Sequence, residues 1–358
     1  MDELPKLMDI FTFENLLRAF KKSAKGRRKK KDTQQFKENL YQNIGRIVRT
    51  FKRGEYPKIE YHSFTVYEPK QRVVWATSFE IRVVINCFCE ECLIPFFEPL
   101  YADTNSASRK GMGTDYAKER LVNDLNSYYV CYGNNEGWFL KMDVRKYFNS
   151  VDHDDLKRIL NEIMPESEVK DFLFYIIDSF PKGIPLGNRT SQLMALYYLN
   201  FMDEMATNEF GFTRANHYMD DMIILDKDKR RLEKFLNTVQ IRLKEERHLE
   251  LNDRTVLAPI KTGVGYMGWN FYLKANGKIL AKRKKTAWDR TKKKMKNAAW
   301  LYQTNQIDAR NYSGRVCSLL QSLHVYHIKG ETTPRRYQAK GLKHKLVHYQ
   351  KHGSTAML

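Results

Sequence analysis

Met222-Ile223-Ile224-Leu225 is an unbroken apolar run entered directly from two adjacent acids, Asp220 and Asp221. A strand that is apolar at every position is buried on both faces, so the chain must build a sheet covered on two sides. The polar approach Asn216-His217-Tyr218-Met219 leads into the acids. The stretch 216–225 therefore reads as a β-hairpin with the acids at its tip. Side chains alternate along a strand, but a tight turn breaks the alternation, so both carboxylates can serve one site. Asp is also a favoured turn residue, and the pair by itself does not separate metal chemistry from turn formation.

A further acid sharpens the reading. Trp138-Phe139-Leu140-Lys141-Met142-Asp143-Val144 is a second apolar strand ending in a carboxylate. If the two strands are neighbours, three acids converge, with no lysine expected among them. Like charges a few Å apart repel, and divalent cations relieve that repulsion.

The balance of 62 Lys and Arg against 42 Asp and Glu gives a formal charge of +20. It favours a polyanionic partner, nucleic acid first and an anionic membrane surface second. No apolar run approaches the roughly 18 residues of a spanning helix. The N-terminus has no signal-peptide pattern, so a soluble, cytoplasmic protein is expected. Cys87, Cys89 and Cys92 form a C-x-C-x-x-C cluster, but their flanks are those of a buried helix and no second pair follows at zinc-site spacing. Core packing is the favoured reading over metal. His344 and His348 share a helical face, with Lys345 where a zinc protease would have Glu, and read as a basic helix.

Along the chain, a helical stripe over 4–20 precedes the run Lys21 to Lys31, which contains eight cations. That run is either a solvated connector or a phosphate contact. A helix carrying Phe36, Leu40, Ile44, Ile47 and Phe51 follows, then alternating strands over 56–75 with Lys70 and Arg72 between them, and a buried helix over 79–97. The small-residue loop 103–114 carries Arg109, Lys110, Gly111 and Gly113 and opens onto a helix. It suits a phosphate chain, though the same letters also make an ordinary turn. Asp152 is the expected cap of a helix bearing Leu156, Ile159, Leu160 and Ile163. After a further helix, the glycine loop 182–192 opens a nearly all-apolar helix over 193–205. Beyond the hairpin come a covering helix and short strands, then a basic helical tail with Trp288 and Trp300 interleaved. That tail is a solvated charged face or, preferred here, a duplex-gripping surface.

Three carboxylates, a cationic glycine loop, a backbone-exposing loop and a basic helical tail stand in an order that nucleotidyl transfer can use. At this point the chain resembles the reverse transcriptases. Tyr218-Met219-Asp220-Asp221 looks like their signature hairpin, and Lys141 to Phe148 like its partner strand. Gly265-Tyr266-Met267-Gly268-Trp269 looks like the primer-grip region. The resemblance runs over about 57–280. It implies an α+β right-hand polymerase with fingers, a βαββαβ palm and a helical thumb. The implied division is an N-terminal helical extension with its basic run over 1–56, fingers over 57–137, palm over 138–280 (152–185 returning partly to the fingers) and a basic thumb over 281–358.

Carried over residue by residue, the resemblance makes Asp143, Asp220 and Asp221 catalytic. Together with the Val144 carbonyl they would hold two Mg2+ ions, for which Mn2+ can substitute. It places Arg72, Arg109 and Lys110 at the incoming nucleotide and Phe148 as an aromatic gate against the ribose 2′-hydroxyl. Leu186, Gly187 and Gln192 lie beside the nucleotide. Tyr218, Met219, Gly265, Tyr266, Met267, Gly268, Lys284, Lys285, Lys292 and Lys293 would contact primer and template.

The segment Leu186-Gly187-Asn188-Arg189-Thr190-Ser191-Gln192 departs from most of the family, which has Gln at the position of Leu186 and Ser-Pro at that of Ser191-Gln192. The form L-G-x-x-x-S-Q is similar to the reverse transcriptases of diversity-generating retroelements, in which copying is unfaithful at template adenines. A Gln amide can penalise a misplaced pair by hydrogen bonding, whereas Leu supplies shape alone. The resemblance further implies a template RNA, a cDNA product, deoxynucleoside triphosphates, a small basic accessory protein that oligomerises, and a prokaryotic or phage source. The alternatives are a retron-like or abortive-infection reverse transcriptase and a non-catalytic RNA-binding protein on a polymerase scaffold.

Overall fold

The computed structural model describes residues 4–67 and 71–322 of the 358. Lys70, His344, Lys345 and His348 of the sequence reading lie outside the described residues. The chain forms two packing units, residues 1–120 with 137–258 and residues 121–136 with 259–358.

The first unit begins with four helices, α1 (Leu7–Ile10), α2 (Phe13–Ser23), α3 (Lys31–Glu38) and α4 (Leu40–Lys52). Each stripe expected to be one helix is broken once. Thr12 leaves the helical region to accept the Asn15 N–H as an N-cap, and Asn39, with φ −117°, interrupts the second. Phe11 stacks on Phe51 at 3.8 Å, and both rings meet Phe172 edge-on, so the helices over 7–52 share the main core. The basic run is partly paired: Lys22 with Glu90 at 2.6 Å and Arg27 with Asp32 at 2.8 Å.

Strands β1 (Tyr61–Val66) and β2 (Arg72–Thr77) pair antiparallel as a separate two-stranded ribbon. The long buried helix expected next is α5 (Phe79–Phe88), a π-helical turn (Cys89–Leu93) and α6 (Ile94–Phe97). Pro95 supplies no N–H for an α-type bond, and the widened turn precedes it. Cys87, Cys89 and Cys92 are buried on this rod, and burial pushes the Cys87 and Cys92 thiols up to about 12. They belong to the core.

Then follow α7 (Thr114–Tyr132), β3 (Trp138–Asp143), α8 (Tyr147–Ser150), α9 (His153–Ile163), α10 (Glu168–Asp178), α11 (Arg189–Tyr198) and α12 (Asn200–Glu204). Asp152 caps α9 as expected, accepting the N–H groups of Asp154 and Asp155. The hairpin β4 (Ala215–Tyr218) and β5 (Asp221–Asp226), helix α13 (Lys229–Arg247) and β6 (Val256–Pro259) complete the unit. The sheet order is β4-β5-β3-β6. Chain order and sheet order together make a βαββαβ fold, in which the last strand borders the first and the hairpin lies on the other side. Met222, Ile223, Ile224 and Leu225 are all buried, as their unbroken apolar run requires.

The second unit contains the end of α7, the antiparallel sheet β7 (Val264–Tyr266), β8 (Trp269–Leu273) and β9 (Ile279–Arg283), and helices α14 (Lys285–Gln303) and α15 (Ala309–Ser322). Thr291, Met295 and Ala298 turn inward from α14, leaving Lys292, Lys293, Lys294 and Lys296 exposed. Tyr302 and Tyr312 stack at 4.8 Å between the two helices. Among the described residues no helix is long and apolar enough to cross a membrane.

Candidate active site

The acids sit where two strand ends meet. Tyr218 pairs with Asp221, so the hairpin closes on the two residues Met219 and Asp220, and Met219 adopts φ +59° to make so tight a turn. On the other side of β5, Asp143 is the register partner of Asp221, and the Val144 N–H reaches the Asp220 carbonyl at 3.3 Å. Directly opposed residues of antiparallel strands project to one face. Asp143 also lies within hydrogen-bonding reach of the Asp220 carboxyl. The structure thus brings Asp143, Asp220 and Asp221 together from segments nearly 80 residues apart in the chain.

One expectation is overturned. A lysine does stand among the acids: Lys141 Nζ donates to Asp221 Oδ2 at 2.5 Å. Lys141 lies two residues before Asp143 on the same strand face, and its long side chain crosses diagonally to the neighbouring strand. The strand alternation carried the signal, since any residue two before Asp143 must share its face.

Among the described residues no three His, Cys, Asp or Glu side chains are grouped so as to hold a metal ion. Two carboxylates in mutual contact remain, and Asp221 Oδ1 is buried without a hydrogen-bond partner. Hard divalent cations take such oxygen donors, so the residues present fit Mg2+.

The electrostatics agree. Burial, and then the Asp143 charge, push Asp220 up to about 6. Burial also raises Asp221, outweighing the opposing Lys141 ammonium. Between the ordinary carboxylate value near 4 and about 6, the folded protein holds a proton that the unfolded chain has released. Metal-free stability therefore falls as pH rises through that window and stays low above it. Asp220→Asn removes the penalty, which is at most about 3 kcal/mol. Thermal melts should show Asp220→Asn more stable than the parent at pH 7.5 and equal to it at pH 4. A parent melt that does not change from pH 4 to 6.5 would remove this account of the cluster.

The loop 103–113 approaches the same hairpin. Its backbone flanks β4, with His217 N–H to Thr104 O at 2.9 Å and Ser106 N–H to His217 O at 3.0 Å. Ser108 donates to Gln192 Oε1 on α11 at 3.5 Å. Arg109 turns back into its own loop. Its side chain is 9% exposed and donates to Glu98 at 2.8 Å and to the carbonyls of Ala102 and Asn105 at 3.1 and 3.0 Å. The guanidinium braces the loop instead of reaching out to an anion. Lys110 is exposed beside it.

The second loop is seated on Phe148, which is half-buried against Tyr147. Ile184 N–H reaches Phe148 O at 2.8 Å, and a Cβ at Gly183 would come 2.5 Å from that oxygen, so only glycine permits the approach. The Leu186 carbonyl accepts from the Trp75 N–H on β2 at 3.2 Å, and the strand's first residue, Arg72, is exposed. Gly187, at φ +112°, is exposed beside Val74. In the second unit, Gly265 and Tyr266 end β7, Met267 and Gly268 form a turn with φ +43° and +82°, and Trp269 starts β8. Lys284 lies over Gly265, Lys285 opens α14, and Lys292 and Lys293 are on its exposed side.

Residues 69–271, more than half of the chain, match the family model described as reverse transcriptase (RNA-dependent DNA polymerase). No curated protein gives a significant match. Similar solved structures include telomerase from Candida albicans in complex with the TWJ fragment of telomeric RNA, at 12% identity and TM-score 0.48, covering 81% of this chain and 59% of that one. Apo telomerase from Candida tropicalis is similar at 11% identity and TM-score 0.49, covering 87% and 65%. The chain spans less than two thirds of the length of either structure.

Proposed function

This chain belongs to the reverse transcriptase (RNA-dependent DNA polymerase) family, and from that premise we propose that it copies a cognate RNA into mutagenic complementary DNA for sequence diversification. The supporting observation is the register that sets Asp143 opposite Asp221 and brings Asp220 against Asp143 at the end of a βαββαβ sheet. Nucleotidyl transfer joins a primer 3′-hydroxyl to the α-phosphorus of a deoxynucleoside triphosphate and releases pyrophosphate. Bound divalent cations would supply activation of the hydroxyl and neutralisation of the leaving group. Asp143, Asp220, Asp221 through its free Oδ1, and the Val144 carbonyl are assigned to hold them, Lys141 occupying the other Asp221 oxygen.

The exposed cations Lys110 and Arg72 are assigned to the triphosphate. Arg109 acts by shaping the loop that presents Lys110. Phe148 is assigned as the gate, its ring excluding a 2′-hydroxyl. In this reading the fingers are 57–137, the palm 138–280 and the thumb 281–358, with the Gly265 to Trp269 hairpin and the α14 lysines holding primer and template. A small basic accessory protein oligomer is proposed as partner, on the L-G-x-x-x-S-Q resemblance alone.

The test is primer extension on an RNA template with Mg2+ and deoxynucleotides, the products being sequenced. DNA complementary to the template supports the polymerase reading, and the absence of any extended product sinks it. Diversification has its own test. Leu186→Gln should lower misincorporation opposite template adenine by about tenfold, the worth of a single hydrogen-bonded discrimination near 1.4 kcal/mol, and change the other bases less. Leu186 is half-buried and holds the Trp75 N–H through its carbonyl, a backbone bond that the substitution leaves in place. An unchanged error spectrum would leave an ordinary reverse transcriptase.

A further inference from the structure

Between the loop and the hairpin lies a buried polar network that no feature of the sequence advertised. Asp203, fully buried on α12, accepts from Thr104 on one oxygen and from His217 Nδ1 on the other, the latter at 2.6 Å. Thr104 belongs to the loop that carries Arg109 and Lys110, and His217 stands three residues before Asp220 on β4. His217 pairs with Met222 and so occupies the sheet face opposite to Asp143 and Asp221.

Three observations make this more than a satisfied core histidine. First, the same two segments are joined by backbone, through the bonds of Thr104 and Ser106 to His217 and the parallel bridge of Asn105 to His217. Second, α12 grips the loop again one turn earlier. Asn200 accepts from the Ala102 N–H at 3.0 Å and donates to Leu100 O at 3.0 Å. Third, the network has one open position. The Asn105 amide is oriented by accepting from the Ala107 N–H at 3.2 Å, which leaves Nδ2 a buried donor without partner. Across the bridge, His217 Nε2 is buried and also without partner. A buried water can satisfy each of these atoms, whichever protonation state the ring holds.

We propose that Asp203 and His217, completed by Thr104, are positioning residues that lock the Lys110 loop to the Asp220 hairpin, fixing the spacing between the triphosphate-binding cations and the metal-binding acids. The physical reason is geometric. In-line displacement is sensitive to errors near 1 Å, and a two-residue hairpin tip and an exposed glycine loop are each soft by themselves. Tying both to one buried carboxylate removes their independent motion. The assignment of substrate and metal rests on the polymerase reading, whereas the coupling of the two segments does not.

Hydrogen exchange on the full chain, without metal or nucleic acid, tests the coupling directly. In Asp203→Asn, peptides covering 104–110 and 215–221 should both exchange at least about tenfold faster, with α9 and α10 unchanged, because losing a buried charge-assisted bond frees both partners. Thr104→Val, which keeps the Asp203–His217 pair, should do the same to a smaller degree. It also serves should Asp203→Asn fail to fold. Tyr198→Phe, which removes a half-buried bond to the Arg247 carbonyl at 3.0 Å, is the structural control and should leave both peptides protected. In extension assays, Asp203→Asn and His217→Gln should raise KM for deoxynucleotide and lower kcat, with primer–template Kd unchanged. The double variant should be no worse than the worse single one, as for residues acting as a unit. Faster exchange in only one segment would overturn the proposal, and so would equal effects in Tyr198→Phe. Inactivity of the parent protein would sink the polymerase reading while leaving the exchange result to decide the lock.

Discussion

Asp143→Asn and Asp220→Asn each lower primer extension by roughly a thousandfold or more, the loss of about 4 kcal/mol of transition-state charge stabilisation. The two acids are expected to behave alike because they are in contact and answer to the same repulsion. The substitution is isosteric, so the hairpin, whose backbone bonds involve no side-chain oxygen, keeps its register. For Asp220→Asn the same change relieves a buried charge, and the inactive protein should melt higher than the active one at neutral pH. A fall in activity together with a gain in stability is a combination that misfolding cannot produce. Mg2+ should raise the melting temperature of the parent and leave both variants unmoved. Asp221 differs, since Lys141 already occupies one of its oxygens. Only its Oδ1 is left for a metal, so its substitution should cost less, and an Asp221→Asn variant that falls equally far would give all three acids the same weight. Full extension by Asp143→Asn or Asp220→Asn would end this account of the metal site.

The parts of this site that were legible in the sequence are those set by short-range rules. An apolar run beginning at a doubled acid gives the buried central strand and its turn, and the period of two then forces Asp143 and Asp221 onto one face once the strands pair. The Asp152 cap is equally local. What escaped depends on side-chain reach and on distant partners. Lys141 shares a face with Asp143 by alternation, yet whether its ammonium turns to solvent or to a carboxylate depends on a neighbour 80 residues away. Arg109 has the composition of an anion ligand, but the curl of its own loop presents carbonyls nearer than any substrate. Asp203 sits in an almost wholly apolar helical stretch, and only the fold shows that His217 faces it. The breaks at Thr12 and Asn39 were missed because a helical stripe continues in phase across a single non-helical residue.

Affinity for a primer–template duplex is expected to fall by about three orders of magnitude between 50 and 200 mM salt, as for a protein that releases counterions from six or more phosphates. The charge of +20 makes some salt dependence inevitable and assigns it to no surface. The α14 lysines do allow an assignment. The helix buries Thr291, Met295 and Ala298 and leaves four lysines within five residues exposed on its other side. Replacing Lys292, Lys293, Lys294 and Lys296 by Gln keeps the buried stripe and the helix propensity. If each lysine meets one phosphate, the log–log salt slope should shrink by about 3.6. The matching control is Lys25, Arg28, Lys29 and Lys30, four exposed cations of the N-terminal run, whose loss removes equal charge from a different unit. Equal reductions in slope from both sets would mean that bulk charge governs binding. A reduction confined to α14 makes it the duplex grip, and a reduction confined to the N-terminal set moves the grip to residues 25–30. No change from either set would locate the phosphate contacts on neither surface, and the basic helix would then be a solvated face.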